Sequence, residues 1–428
     1  MRTVCRHIRR NPKRPRMRIL PRHHAGYNIT PSQRGAHKKP NAMQRLHTKN
    51  TNPHTLSISM KAKHIISILI LLALLTAPVA AAGGSGTASS PYLIATATEL
   101  QSINNNLGAY YRLTADIDLA GRTWTPIGTT TTGFFGELDG DGHIIKNLAL
   151  SRTDQSAGLF RTLTSGATIK DLTLQDCSVT STSSWCGVLA GSIIMSSNAH
   201  ETATISNVDC VRCSASSSSQ HVANLVGLIY TAAVVDIADC DISASNAEST
   251  SSYIVANLVG SCSGGSSTQI LRCTVANSHA KASSINVANL VGECNGGCSV
   301  SAENCDVNNC IAESTSSNNV ANLVGLCAGG SSVSAENCDV NNCIAKGTNY
   351  VGGLVGLVDK DYTNNVGSNV AATNCNINDC TIVSTSNYAG GIAGRIITTC
   401  TGIFSGCTVS GCTILANTYA AGICPAYA

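Results

Sequence analysis

Cysteine is the residue type here that most invites chemistry. The chain holds 21 Cys, of which Cys5 alone lies in a basic leader, leaving an even number in the rest. Cys177, Cys240, Cys273, Cys305, Cys338, Cys375 and Cys407 recur at what reads as one repeat position. Cys310, Cys343, Cys380 and Cys412 follow four of them as C-x4-C, and Cys262, Cys294 and Cys327 make a further series. Recurrence at one position predicts columns of thiols along a stack of strands, with neighbours about 4.8 Å apart. That is inside the roughly 4.4–6.8 Å Cα range of disulfides. Cys305, Cys310, Cys338, Cys343, Cys375, Cys380, Cys407 and Cys412 are therefore disulfide candidates, in keeping with many cysteines and few charges in an exported protein. The competing reading is free thiols filling a core as small hydrophobes. A metal or Fe–S role is the third reading, with C-x4-C a poor zinc spacing. No cofactor is implied.

Other side chains invite acid–base or binding chemistry. Asp139-Gly140-Asp141-Gly142-His143 offers two carboxylates and an imidazole, although Asp-Gly pairs are first of all tight turns, and a calcium loop needs more oxygen ligands. Glycoside hydrolysis needs two facing carboxylates. Glu303, Asp306, Glu336 and Asp339 recur as copies, as surface decoration would. No convergent acid–base set stands out, and catalytic residues are expected to be absent. Among the tyrosines, Tyr253, Tyr350 and Tyr388 precede a repeated motif at roughly one position, with Tyr230 and Tyr362 nearby. They are the ligand-binding candidates, a partial ladder on which a glycan could stack; packing or corner filling is the competing reading.

The elements that must position these groups are read from the repeat. VANLVG starts at Val222, Val255, Val287 and Val320, a period of 32 or 33 residues. Such a period means a solenoid whose coils bury their apolar faces only by stacking. Each copy divides at Gly, Asn and Ser into three short runs, as in Val320–Cys327, Val333–Val340 and Cys343–Ala345. This predicts an all-β parallel β-helix with about 33 residues per three-strand coil. Leu323 should point inward, and Gly325 should permit a tight bend or close coil-to-coil approach. Glu336 shares the parity of Cys338, so the register must break between them or the glutamate must sit at a corner. Ser299–Ala312 and Ser332–Ala345 are identical over fourteen residues, easy to accept in a stack of coils and hard in an enzyme needing unique residues. Residues 83–175 read as an N-terminal cap with the first coils, including a helix over Ala97–Ile103 and a strand over Tyr111–Leu119. Residues 176–428 read as the repeats, ending without a polar cap.

Charge divides the chain differently. Residues 1–63 carry 16 of the 28 Lys and Arg and no acid, leaving 12 basic against 24 acidic residues beyond them. Met60-Lys61-Ala62-Lys63, the apolar run Ile65–Leu75 and Ala80-Ala81-Ala82 read as a signal peptide over 60–82, cut after Ala82. Residues 1–59 then read as a disordered, mis-called extension. The rivals are a signal anchor over 65–82 with a cytoplasmic basic arm, and an arm that binds nucleic acid.

The Gly-Gly-Leu-Val-Gly of Gly352–Gly356, the Gly-Gly-Ile-Ala-Gly of Gly390–Gly394 and the Asn-Leu-Val-Gly variants resemble the GLUG-repeat family of exported, adhesin-like surface proteins. Pro91-Tyr92-Leu93-Ile94, Leu113–Leu119, Trp124–Gly128 and Phe135–His143 are similar to the region preceding such repeats. The resemblance implies a right-handed β-helix at the cell surface and no defined reaction. Some family members carry immunoglobulin-cleaving metallopeptidase domains; here His200-Glu201-Thr202-Ala203-Thr204 lacks the second histidine of H-E-x-x-H. The density of cysteine departs from the family.

The expectation is a non-catalytic, secreted or cell-surface β-helix used in adhesion or surface interaction. The alternatives are a carbohydrate-active β-helix enzyme, a polysaccharide lyase or hydrolase, and a structural envelope component. The expected partner is a cell-surface glycan or protein, with end-to-end contact at the C-terminal coil. Nucleic acid is not expected, and a membrane only through an uncleaved signal segment.

Overall fold

A coil begins with a strand of three residues or fewer, turns, and runs through four further short strands before the next coil begins. The computed structural model describes residues 83–153, 156–182, 185–195, 201–250, 254–283, 285–316 and 318–425. The readings placed on residues 1–82, and Tyr253, lie outside them.

The coil at 319–347 shows the pattern. Asn319–Ala321 belongs to an 8-stranded sheet (sheet 1), Val324–Cys327 to another 8-stranded sheet (sheet 2), Ser332–Glu336 and Asp339–Asn341 to a 19-stranded sheet (sheet 3), and Ile344–Gly347 to a 9-stranded sheet (sheet 4). Every pairing between named strands is parallel, and equivalents pair in register: Val287 with Val320, Cys294 with Cys327, Val307 with Val340, Ala312 with Ala345. The fold is a parallel β-helix. Its coil is finer than the three strands expected, because tight corners cut two of the long runs.

Asparagine makes one class of corner. Asn304, Asn309, Asn337 and Asn342 hold φ between 50° and 54°, the left-handed region that Asn tolerates better than most residues. One such residue inverts the in–out alternation. Glu336 thus points to solvent while Cys338 is fully buried, which resolves their shared parity as a register break at Asn337. Asp171, Asp176, Asp239 and Asp379 do the same in other coils.

A second corner lies between sheets 1 and 2. Leu323 is fully buried, as expected. The preceding asparagine turns its amide into a buried ladder: Asn224 Nδ2 donates to Asn257 Oδ1 at 3.0 Å, Asn257 to Asn289 at 2.9 Å and Asn289 to Asn322 at 3.0 Å. The glycine of VANLVG permits close approach, because a Cβ on Gly325 would lie 2.6 Å from Gly292 O and 3.1 Å from Val287 N.

The first coils use the same sheets. Tyr92–Ile94 pairs with Tyr110–Leu113, which pairs with Glu137–Asp139, which pairs with Thr168–Gln175. The expected strand over 111–119 is two, Tyr110–Leu113 and Ile117–Asp118. The expected helix forms as α1, Ala97–Ser102, followed by a 3-10 turn Ile103–Asn105. Thr96 and Glu99 close its N-terminus as a capping box, and Leu100 and Ile103 enter the core. In the C-terminal coil Ile403, Leu415, Tyr419 and Ile423 are exposed.

Most of the described cysteines sit at corners directly after a left-handed residue. Cys240, Cys273, Cys305, Cys338, Cys375 and Cys407 stack as one column, as expected. Cys177 does not belong to it. Register places Cys177 with Cys213, Ser245, Ser278, Cys310, Cys343, Cys380 and Cys412 in the next corner, since it follows the second left-handed residue of its coil, not the first. None of the eight disulfide candidates is disulfide-bonded. Hydrogen bonds occupy them instead. Cys310 Sγ donates to Val275 O and Asn308 O, each at 3.2 Å, and accepts the Ser278 N–H at 3.4 Å. Ser245 Oγ does the same with Cys210 O at 3.2 Å, Ser243 O at 2.9 Å and the Cys213 N–H at 2.9 Å. The corner asks for a small side chain that both donates and accepts, and thiol and hydroxyl both serve.

Candidate functional site

The outward side chains of sheets 1 and 2 face each other across a concave corner, and that corner forms a groove along the coils. Its sheet 1 wall is one register column: His221, Ile254, Asn286, Asn319, Tyr350, Tyr388, Tyr419. Its sheet 2 wall is Leu228, Ser261, Glu293, Leu326, Leu357, Arg395. Cross-groove contacts establish the facing: Asn286 Nδ2 donates to Glu293 Oε2 at 3.1 Å, and Arg395 Nη1 to the Tyr350 hydroxyl at 3.1 Å. The inner column one residue on from His221 runs Val222, Val255, Val287, Val320, Val351 and Ala389. The framework therefore repeats throughout, while the groove-facing residues change in character along the stack, from His221 and Ile254 to asparagine and then tyrosine.

The groove has two parts. In the earlier coils a cavity of about 390 Å³ is lined by Gln220, His221, Ile254, Ile285, Asn286, Glu293 and Leu326. Glu293 is 8% exposed and receives a second amide hydrogen bond, from Asn295 Nδ2 at 2.7 Å. Burial raises its carboxyl above the ordinary range. Burial also pushes the His221 imidazole down to about 4, so the ring is neutral at pH 7. Its Nδ1 is buried with no hydrogen-bond partner among the described residues.

In the later coils the groove is aromatic. Tyr350 and Tyr388 stack at 5.6 Å and 21°, Tyr388 and Tyr419 at 5.3 Å and 13°. The Arg395 guanidinium lies 5.5 Å from the Tyr350 ring and 5.2 Å from the Tyr388 ring. Tyr350 and Tyr388 thus share a column as expected. The third ring is Tyr419, which the sequence places at the start of a further first strand but does not single out as a binding candidate. Tyr253 lies outside the described residues, and the column residue of its coil is its neighbour Ile254, so the position read for Tyr253 was one residue early. Stacked rings cover one another's faces, so the row presents mainly edges and hydroxyls.

The other candidates are dispersed. Asp139 is 7% exposed, flanked by Arg112 at 3.4 Å and Lys170 at 3.7 Å, and accepts the Asp141 N–H at 2.9 Å. That is a turn with an ion pair on it. His143 Nδ1 turns instead to Asp116, at 3.2 Å. Asp306 and Asp339 are register neighbours on sheet 3, as are Glu303 and Glu336. Tyr362 is 71% exposed, and its hydroxyl donates to Asp359 at 3.1 Å. Tyr230 packs on the turn at Gly264, where a Cβ would meet its ring at 2.6 Å. Glu293 and His221 carried no sequence signal, since neither sits in a motif and their proximity depends on stacking. Among the described residues no group of three or more His, Cys, Asp or Glu is placed to hold a metal ion, and no helix is long and apolar enough to cross a membrane.

No family model matches the chain. The chain is 40% identical over 121 residues, 24% of its length, to "Halomucin" of Haloquadratum walsbyi, of which the match covers 1%. It is 37% identical over 102 residues, 22% of its length, to a "Putative Gly-rich membrane protein" of Evansella cellulosilytica, of which the match covers 12%. The chain therefore spans a small fraction of these relatives. Among solved structures it is similar to "Crystal structure of a putative immunoglobulin A1 protease from Bacteroides ovatus", with 18% identity, 80% of this chain and 85% of that chain covered, and a TM-score of 0.39.

Proposed function

We propose that the chain is a non-catalytic, exported β-helix of the GLUG-repeat kind that works at the cell surface in adhesion or surface interaction. The observation that carries the proposal is the groove between sheets 1 and 2, where a repeated framework presents a row of side chains whose chemistry shifts along the stack, from His221 and Ile254 through Asn286 and Asn319 to Tyr350, Tyr388 and Tyr419. A stacked scaffold diversifies a long outer surface at little structural cost, because each coil touches only its neighbours. The similarity to "Halomucin" and to a "Putative Gly-rich membrane protein" supports a surface setting. Among the described residues of the groove walls Glu293 is the one carboxylate, which supports binding over the two-carboxylate chemistry of glycoside hydrolysis.

The test is protease shaving of intact producing cells, followed by adhesion of those cells with and without the gene. Release of peptides from residues 83–428 and reduced adhesion without the gene are the expected results. Retention of the chain inside shaved cells, or turnover of a polysaccharide by the purified full chain, overturns the reading.

A further inference from the structure

The cavity at His221 and Glu293 has a ligand chemistry of its own. Its volume, about 390 Å³, falls in the range of small-molecule sites. Its polar groups include both hydrogen-bond donors and acceptors. Glu293 offers carboxyl oxygens already oriented by the Asn286 and Asn295 amides. His221, with Nδ1 buried, leaves Nε2 as the ring nitrogen a bound molecule can reach. Ile254 and Leu326 supply apolar wall on opposite sheets. Among the described residues no basic side chain pairs with Glu293, and its carboxyl is met by these two amide donors.

We propose that this cavity binds a single neutral sugar residue, with Glu293 accepting from one hydroxyl, His221 contacting another, and Ile254 and Leu326 packing against the C–H faces of the ring. Hydroxyls both donate and accept, so one polyol satisfies carboxyl, amide and imidazole together. An alkylammonium only donates, so it offers no acceptor to the amide N–H groups that line the cavity. The proposal rests on the surface-interaction reading for its setting and names the ligand class and the place.

The test is saturation-transfer NMR on the full chain with the methyl glycosides of glucose, galactose, mannose and N-acetylglucosamine, with n-butylamine as the cationic control. At least one glycoside is expected to bind saturably, at about 1–10 mM for a single-residue contact. Ile254→Trp, which fills the cavity, and Glu293→Gln, which keeps the shape, are each expected to weaken binding about tenfold or more, corresponding to about 1.4 kcal/mol. Lys346→Ala, on sheet 4 and away from the groove, is expected to leave it unchanged. Thermal melts of each variant report folding separately. Absence of saturable binding by any glycoside, binding unmoved by both cavity variants, or preference for n-butylamine overturns the proposal. A surface-exposed chain that binds no glycoside sinks the pocket and spares the surface reading. Glycoside binding by a chain that shaving never reaches does the reverse.

Discussion

At Cys310 the thiol donates to two carbonyls and accepts a backbone N–H, and Ser278 occupies the same corner one coil earlier. Cys310→Ser is therefore expected to shift the thermal midpoint by little. Cys310→Val keeps the volume but leaves polar backbone groups unmatched, and is expected to cost about 1–3 kcal/mol, read by urea unfolding. Burial pushes the Cys186 thiol up to about 12, which makes it a poor nucleophile in the fold. Alkylation of the urea-unfolded, non-reduced chain is expected to label every cysteine from 177 onward; thiols protected until reductant is added would restore the disulfide reading. His221 gives a pH signature. Its folded pKa lies below its unfolded value of 6.5, so the unfolded chain binds the proton first as pH falls. Stability from this site is complete above about 6.5 and declines toward about 4, by at most about 3 kcal/mol. Glu293, shifted upward, acts oppositely above its unfolded value of 4.5. The difference between wild type and His221→Phe across pH 4–7 isolates the histidine; a flat difference contradicts its buried placement.

At the scale of elements, ladders hold the coils in register. Asn257 donates to Asn289 and accepts from Asn224 inside the corner between sheets 1 and 2. Asn257→Ala strands an acceptor and a donor in a buried row, and about 2–4 kcal/mol of destabilisation is expected by urea unfolding. On sheet 4 the row Glu248, Lys281, Glu313, Lys346 alternates in sign, with contacts of 3.1 Å for Lys281–Glu248 and 2.8 Å for Lys346–Glu313. These pairs are exposed, so salt is expected to move stability little, within about 1 kcal/mol per pair. The short strands were legible as runs between Gly, Asn and Ser. The inversion at each left-handed asparagine was legible only as a parity conflict at Glu336 and Cys338, and its consequence for Cys177 was not, because that early coil has diverged far from the VANLVG pattern.

The coils from residue 83 onward form a stack, and a stack is close to additive in its coils. Removing residues 299–331, one period of 33, joins Cys298 to Ser332 at equivalent positions. The shortened chain is expected to fold cooperatively with the same far-UV spectrum per residue. Deletion of half that length is expected to break register and lose the transition. Retained folding of the half-period deletion would contradict the in-register pairing.

The period of VANLVG determined the coil, the inward leucine and valine, and the close glycine, because these follow from local alternation and turn chemistry repeated at fixed spacing. Tertiary structure decided which residues meet across coils. His221 and Glu293 are 72 residues apart in the chain, yet they line one cavity because three coils place them on facing walls. The tyrosine row is set the same way: register, not proximity to a motif, puts Tyr419 in it and gives the place read for Tyr253 to Ile254. Side chains that face outward answer to no core, so repetition leaves them unmarked in the sequence, and only the stacking brings them together.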